Sequence, residues 1–282
     1  MKSHNVYSGV WLREEMVGEI VFIGLGLHDE FGISLRGQAE ARSCDFLFAE
    51  LYTNTMPSLN LKNLATIAGR QVTVLSRKDV EEDPEELILS KARSGKVGFL
   101  VPGDPMVATT HVDLRLRAHR AGIKTRIVHA SSVASAISGV TGLQSYKFGR
   151  TVTIPVSLES AMVPESVYLG IKNNMALGLH SLVLLELDVE GKRHVSISEA
   201  LKRLIAFSRS KHEDAITERN LVVGAARLEA PDMVVKAGTV EEIARWDFGH
   251  PPFVIVFPGK LHFVEAEALH VFCGAPRELA NP

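Results

Sequence analysis

Short apolar runs alternate with segments of helical spacing through the first half of the chain. The apolar runs, which predict strands, lie at 19–27, 45–52, 71–76, 96–103 and 124–130. The segments with helical spacing lie between them, at 33–44, 59–69, 83–95, 111–122 and 131–142. Ser131 or Ser132 is suited to cap the last of these helices. Such alternation is typical of a mostly parallel α/β sheet.

The pattern changes after Gly142, where strands become more frequent and no longer alternate strictly with helices. The strand candidates lie at 150–158, 180–190, 220–228, 232–238 and 252–259. The helical candidates lie at 163–178, 197–210 and 239–246. We therefore expect an N-terminal extension over 1–19, an N-terminal α/β domain over 20–140 and a C-terminal α/β domain over 141–282. The first 15 residues are expected to be disordered or to reflect an overlong start assignment.

Composition excludes several classes of protein. The chain has 282 residues, is 46% hydrophobic and carries a net charge of −2, so nothing draws it generally toward nucleic acid or an anionic membrane. No apolar run approaches the ~18 residues of a membrane span, and residues 1–19 lack the apolar core of a signal peptide. Cys44 and Cys273 lie in apolar surroundings and outside any CxxC motif, which predicts buried thiols and a cytoplasmic protein.

In parallel α/β sheets, ligands bind beyond the carboxyl ends of the strands, and the first such loop is GLGLHDE, 24–30. Gly24 and Gly26 would let the backbone approach a ligand, or would simply allow a tight turn. A dinucleotide-binding fingerprint would need a small residue where Asp29 stands, although Glu50 could imitate the acid that binds ribose. An oxidoreductase therefore stays open only as a weak alternative.

A second strand-end loop, VPGDPMVATTH at 101–111, contains two prolines around Gly103 and Asp104. Proline fixes φ and removes a hydrogen-bond donor, so this loop has few accessible conformations and loses little entropy when a ligand binds. Asp104 either caps a helix that starts near Pro105 or faces a ligand, and both roles are compatible.

A third loop, HASSV at 129–133, joins a strand end to helix-capping hydroxyls. His111 and His129 are candidate general bases by location, and a surface or structural histidine is the alternative for each. No pair of histidines has convincing metal-ligand spacing beside suitable partners, so we expect no metal.

Four motifs carry a resemblance to a known family. They are FIGLGLHDEFGISLRGQAEARSCDFLFAELYTNTM, GDPMVATTH, SGVTGLQSYKFG and PGKLHFVEAE, within a match over residues 20 to about 278. The chain resembles the diphthine synthases, which belong to the tetrapyrrole methylase class (class III methyltransferases). The resemblance implies two α/β domains with S-adenosylmethionine in the cleft between them, a homodimer and no metal. It also implies methylation of the amino group of a modified histidine on translation elongation factor 2 during diphthamide biosynthesis.

The resemblance also implies which residues contact the cofactor. Leu185 could be replaced by Leu187 in this role, because LEL stands where a shorter motif is usual, and Phe253 stands where the family can have a polar residue. The positions that correspond to the family's cofactor contacts are Leu27, Asp104, Val107, Ser132, Val133, Leu185, Leu228 and Phe253. No catalytic residue is assigned.

Other functions remain open at this stage. A related methylase could act on a tetrapyrrole or on ribosomal RNA, although the near-neutral charge and the local motifs speak against both. A non-catalytic cofactor-binding module is a third possibility, but it would not need a second domain. For a protein acceptor, we expect the loops 52–55 and 109–111 to form the docking surface.

Overall fold

The computed structural model describes residues 18–156, 162–189 and 191–280. The prediction for residues 1–15 lies outside this part of the chain. The first half forms a five-stranded sheet with the order β3-β2-β4-β1-β5, and all its paired strands run parallel. Its strands are β1 (Glu19–Gly24), β2 (Phe46–Glu50), β3 (Thr73–Leu75), β4 (Lys96–Val101) and β5 (Lys124–Val128).

The second half forms a mixed five-stranded sheet with the order β11-β10-β12-β7-β6, in which only β6 and β7 pair in parallel. A two-stranded antiparallel ribbon, β8 with β9, follows β7 along the chain. The strands of this half are β6 (Val152–Ile154), β7 (Ser181–Leu185), β8 (Leu187–Asp188), β9 (Arg193–His194), β10 (Leu221–Ala226), β11 (Val234–Thr239) and β12 (Phe253–Phe257).

Helices connect the strands in both halves. Ser34 and Ser196 cap two of them with side-chain oxygens, while the Ser132 N–H donates to Ser135 Oγ at the start of a third. The α-helices are α1 (Leu35–Arg42), α2 (Leu61–Ala68), α3 (Ser90–Ser94), α4 (His111–Arg120), α5 (Val133–Thr141), α6 (Glu165–Ala176), α7 (Ile197–Ser210), α8 (Val240–Ile243) and α9 (Phe263–Cys273).

The expectation of an α/β fold is confirmed, while two local expectations need correction. The segment 83–95 is not one α-helix, because the π-helical turn Glu85–Leu89 precedes α3. Helix α4 begins at His111, as the 111–122 segment predicts, but the helix start considered near Pro105 is absent, and Ala108 in that loop has a positive φ of 56°. Helix α9 was not predicted.

The apolar interior is divided among the faces of the two sheets. Cys44 and Cys273 are 1% and 2% exposed, as predicted, and burial raises the pKa of each thiol to about 11. Helix α5 follows β5 in sequence, yet its Ile137 belongs to the same buried cluster as Leu269 of α9. Helix α5 therefore contributes to the core of the second half. The domain division near residue 140 stays a prediction.

Candidate active site

A cleft of about 480 Å³ lies where the carboxyl ends of β1 and β4 and the start of α5 face the second sheet. Such a volume is typical of small-molecule sites, which range over roughly 300–1,000 Å³. The structure brings all eight residues predicted to contact the cofactor to the wall of this one cleft, and Leu187 lies there as well. These eight are Leu27, Asp104, Val107, Ser132, Val133, Leu185, Leu228 and Phe253.

The loops after β1 and β4 are joined by a pair of backbone hydrogen bonds. The Gly103 N–H donates to Gly26 O at 2.7 Å, and the Gly26 N–H donates to Gly103 O at 3.3 Å. Both glycines have positive φ, +80° at Gly26 and +71° at Gly103. A Cβ at Gly26 would lie 2.9 Å from Gly32 Cα, whereas one at Gly103 would meet nothing closer than 3.9 Å. Gly26 therefore serves the packing of the loop, while Gly103 keeps one face of the cleft open.

The alternative of a dinucleotide-binding loop finds no support in this geometry. A Cβ at Gly24 would lie 2.6 Å from Gly103 O, so Gly24 makes room for the neighbouring loop. Asp29 Oδ1 accepts the Phe31 N–H of a 3₁₀ turn, and a separate residue, Ser34, caps α1. The first loop consequently does not lead into a helix N-terminus that could hold a phosphate.

Asp104 is 5% exposed, and hydrogen bonds within the protein engage both of its carboxylate oxygens. Oδ1 accepts the Met106 N–H at 2.9 Å, which caps the turn after Pro105. Oδ2 lies 2.7 Å from His129 Nδ1 and accepts the Ala130 N–H at 3.3 Å. Asp104 thus caps a turn rather than the helix that one prediction placed near Pro105, and it also ties the loop after β4 to the loop after β5.

Glu50, the other acid considered for ligand binding, is fully buried and holds its own loop. Its Oε2 accepts the backbone N–H groups of Tyr52 and Thr53 at 3.2 and 3.1 Å. The Glu50 Oε1 also lies 3.6 Å from Nε2 of His111, a histidine that is 1% exposed. Neither Glu50 nor His111 reaches the cleft wall, so neither can touch a ligand there.

The two predicted acceptor-docking loops, 52–55 and 109–111, each contain one residue that is buried, which contradicts its predicted contact with the acceptor. Tyr52 is 4% exposed, and burial together with the carboxylates of Glu50 and Glu81 raises its pKa. Tyr52 and His111 consequently cannot be surface contacts. The other members of these loops that line the cleft are Thr53, Asn54, Thr109 and Thr110.

On the opposite wall, Arg227 holds in place the backbone near two lining residues, Leu228 after β10 and Phe253 at the start of β12. It has a positive φ of 52°, and its N–H donates to Pro252 O at 2.9 Å. Its guanidinium donates to Phe248 O at 2.6 Å and to Asp232 Oδ2 at 2.7 Å. These bonds set the backbone on either side of Leu228 and next to Phe253.

The cleft is also lined by three charged side chains that the sequence analysis did not identify: Arg77, Glu81 and Glu186. Glu186 lies between Leu185 and Leu187 in the LEL motif but was not itself considered, and Arg77 and Glu81 lie in no motif. Arg77 and Glu81 stand beyond β3, where the sequence shows only a charged stretch of the usual solvent-exposed kind. No pattern signal could have found them, because their place in the cleft depends on the tertiary fold.

Residues 18–156, 162–189 and 191–280 contain neither a candidate metal site nor a candidate membrane-spanning helix. No group of three or more His, Cys, Asp and Glu residues in these ranges could hold a metal ion. None of their helices has the length and apolar character needed to cross a membrane.

Comparisons with known proteins agree with this fold. Residues 19–244 match the family of tetrapyrrole (corrin/porphyrin) methylases. The chain is 45% identical over 264 residues to a diphthine synthase of Methanosarcina mazei, covering 92% of this chain and 98% of the relative. The diphthine synthase of Methanothermobacter thermautotrophicus is 40% identical, with 93% and 98% covered.

A crystal structure of a diphthine synthase superimposes with a TM-score of 0.82 at 36% identity, covering 93% of this chain and 98% of that one. The family match, the two relatives and this structure each extend across both halves of the chain. The chain therefore belongs to the tetrapyrrole methylase family and, within it, to the diphthine synthases.

Proposed function

We propose that this protein is an S-adenosylmethionine-dependent methyltransferase that methylates the amino group of the modified histidine of translation elongation factor 2, giving diphthine. The observation that carries the proposal is the convergence of eight residues from both halves of the chain on one cleft. Leu27 and Phe253 are separated by most of the chain, so it is the fold that brings them to the same cleft.

The cleft fits S-adenosylmethionine, which carries a sulfonium, an adenine, a ribose and an amino-acid end. Its wall combines apolar side chains such as Leu228 and Phe253 with a few fixed polar groups, as sites for such ligands require. The open face of Gly103 leaves room for close approach of a ligand. When bound, the cofactor supplies the methyl group on its sulfonium.

The protein's part in the reaction is to position the acceptor amine and to keep it neutral. An alkyl amine has an unperturbed pKa near ~10.4 and arrives mostly protonated. The apolar side chains of Val107, Leu187 and Phe253 line the cleft and would disfavour the charged form. His111 is buried, and neither His111 nor His129 is among the residues that line the cleft, so we assign neither as base. Proximity and desolvation would then provide most of the rate enhancement.

We also propose that the protein works as a homodimer in the cytoplasm, without a metal and without direct contact to nucleic acid. The family resemblance supports the dimer, and the two buried, unpaired thiols support a reducing compartment. Light scattering after size exclusion would measure the oligomeric state.

Transfer of label from S-adenosylmethionine to elongation factor 2 tests the function. The protein is incubated with labelled cofactor and with the factor carrying either the unmodified or the partly modified histidine. We expect label only on the partly modified factor. Label on a tetrapyrrole or on ribosomal RNA instead, or none on either form of the factor, would overturn the proposal.

A further inference from the structure

Arg77 stands out among the residues that line the cleft, because it is the only lysine or arginine among those described there. It follows β3 and begins the π-helical turn Lys78–Glu82. Its Cζ lies 5.1 Å from the centroid of the Tyr52 ring, within the range of a cation–π contact. Since Tyr52 is buried and anchored through its backbone to Glu50, the ring offers a fixed platform for the guanidinium.

Arg77 has an ion pair with Glu81 but donates no hydrogen bond to it, so its donors can still bind a ligand. In the described part of the chain, no residue accepts a hydrogen bond from its side chain within normal distance. The nearest carboxylate oxygen, Glu81 Oε2, lies 3.8 Å from Arg77 Nη1. The side chain is 51% exposed, so it borders the opening of the cleft rather than the core. A guanidinium held by stacking, with its planar fork unused, is well suited to bidentate binding of an anion.

The charges around Arg77 restrict what kind of anion fits. Glu81 and Glu186 also line the cleft, and their carboxylates would repel a group with two negative charges about twice as strongly as a group with one. A single arginine is also too little positive charge to hold a nucleic-acid backbone. A monoanionic carboxylate, bound at one fork, meets both restrictions.

The position of Arg77 relative to the second half agrees with a place at the mouth of the cleft. Asp188 on β8 has a lowered pKa, caused mainly by the Gly191 N–H, then by Arg193, and weakly by the charge of Arg77. Arg77 also lines the same cleft as Glu186 and Leu187 of the second half, so a ligand that binds between the halves comes close to its guanidinium.

We propose that Arg77 is the carboxylate-binding residue of the cleft, and that it holds the carboxylate of an amino-acid group. Two ligands could bring a carboxylate to this site: the cofactor through its methionine end, or the protein acceptor through a carboxylate of its own. The inference rests on the proposed function, because it deepens the recognition of ligands in the same cleft.

Calorimetry and kinetics on the full-length protein test the role of Arg77. Arg77→Met removes the charge and keeps a long apolar stem, and Arg77→Lys keeps the charge without the fork. Arg120→Met is the matched control, because Arg120 is exposed at the end of α4 and lies outside the cleft lining. The probes are S-adenosylhomocysteine and 5′-methylthioadenosine, which lacks the amino-acid end, and elongation factor 2 serves as acceptor in steady-state transfer. Thermal melts confirm that each variant is folded.

The two sources of the carboxylate give different results. If Arg77 binds the carboxylate of the cofactor, Arg77→Met should lose roughly 10- to 100-fold in affinity for S-adenosylhomocysteine, which corresponds to the loss of a charged hydrogen bond. Its affinity for 5′-methylthioadenosine should not change. An acceptor carboxylate leaves both affinities unchanged and raises the KM for elongation factor 2 by a similar factor. In either case Arg77→Lys falls between Arg77→Met and the wild type.

The inference fails if Arg77→Met matches Arg120→Met in both affinities and in KM while the wild-type protein transfers methyl groups. That outcome leaves the proposed function intact. A wild-type protein that neither binds S-adenosylhomocysteine nor methylates elongation factor 2 overturns the proposed function itself, and the inference with it.

Discussion

Asp104 Oδ2 lies 2.7 Å from Nδ1 of His129, although 25 residues separate them in the sequence. The contact joins the loop after β4 to the loop after β5, so two walls of the cleft are held at a fixed distance. His129 is largely exposed, with 70% of its side chain accessible, while Asp104 is nearly inaccessible. The carboxylate that sequence reasoning directed toward a cationic ligand is thus used to assemble the cleft.

Asp104→Asn should destabilise the fold as well as weaken ligand binding. Asparagine can still accept the Met106 N–H, but its amide would then face the Ala130 N–H with a second donor. We expect a loss of ~1–3 kcal/mol in the free energy of unfolding, the cost of an unsatisfied buried group. Urea denaturation measures this loss, and calorimetry with S-adenosylhomocysteine measures the accompanying drop in affinity.

His129→Ala is the control for this prediction. It removes one partner of Asp104 but keeps both backbone donors, and water can replace the exposed ring. Its effect on stability should be clearly smaller. An Asp104→Asn variant as stable as the wild type would show that the contact between the two loops contributes nothing to stability.

Substitution of the two paired glycines should separate loop packing from ligand access. Each alanine would strain a backbone with positive φ, at a cost of ~1–2 kcal/mol. Gly26→Ala adds a clash with Gly32 Cα at 2.9 Å, so it should lose clearly more stability than Gly103→Ala. Gly103→Ala should instead reduce affinity for S-adenosylhomocysteine, because its new methyl group borders the cleft. Equal stability of the two variants in thermal melts would contradict the packing role of Gly26.

Filling the cleft from Val107 should abolish ligand binding without affecting the fold. Val107 is 38% exposed and lines the cleft, so tryptophan there meets open space rather than the core. We expect Val107→Trp to lose at least ~10-fold in affinity for S-adenosylhomocysteine, or ~1.4 kcal/mol. Val112→Trp is the matched control, since Val112 is 52% exposed on α4 and outside the cleft lining. Unchanged affinity in Val107→Trp would mean that the cofactor binds elsewhere.

Stability at acidic pH should depend on Glu265, a fully buried carboxylate at the start of α9. Burial by itself would raise its pKa, but donors on Lys147, Gln144 and His262 outweigh this effect and lower it from 4.5 to about 2. Because the folded pKa is depressed, the stabilisation is complete above pH 4.5 and is lost as the pH falls toward 2. The shift corresponds to about 3 kcal/mol at neutral pH.

Glu265→Gln should therefore be less stable than the wild type at neutral pH, and the difference should shrink near pH ~3. Glu267→Gln, an exposed substitution on the same helix, should leave the pH dependence unchanged. Urea denaturation across this pH range gives the comparison. A constant difference between Glu265→Gln and the wild type would show that the carboxylate does not titrate in this interval.

The sequence predicted those elements whose pattern follows from local burial. Strands such as β1 and β4 are nearly continuous apolar runs, because both faces of a parallel sheet are covered. The predicted cofactor contacts in the loops after β1, β4 and β5 also lie together, since the strand-end loops of one parallel sheet converge at one edge. Ser132 is the N-cap residue of α5 as expected, because capping preferences act within a few residues of the helix start.

Features that depend on tertiary contacts could not be predicted in the same way. Helix α9 was not predicted because its apolar residues lie on all of its faces. Phe263 and Phe272 are 65% and 63% exposed, so the sequence shows no single apolar face. The approach of Glu50 to His111 joins residues far apart in the chain. The positive φ of Ala108, in the loop between Pro105 and α4, is a conformation that an alanine in the sequence does not predict.

The position of α5 has a consequence for how the molecule unfolds. This helix is connected to the first sheet through β5, but its Ile137 is buried in a cluster that also contains Leu269 and the cleft residue Leu27. A fragment ending at Thr141 would expose that apolar surface to water, and the remaining fragment would keep a cavity where Ile137 had been. The two halves are thus interdependent for folding, and heat or denaturant should dismantle them together as one cooperative unit.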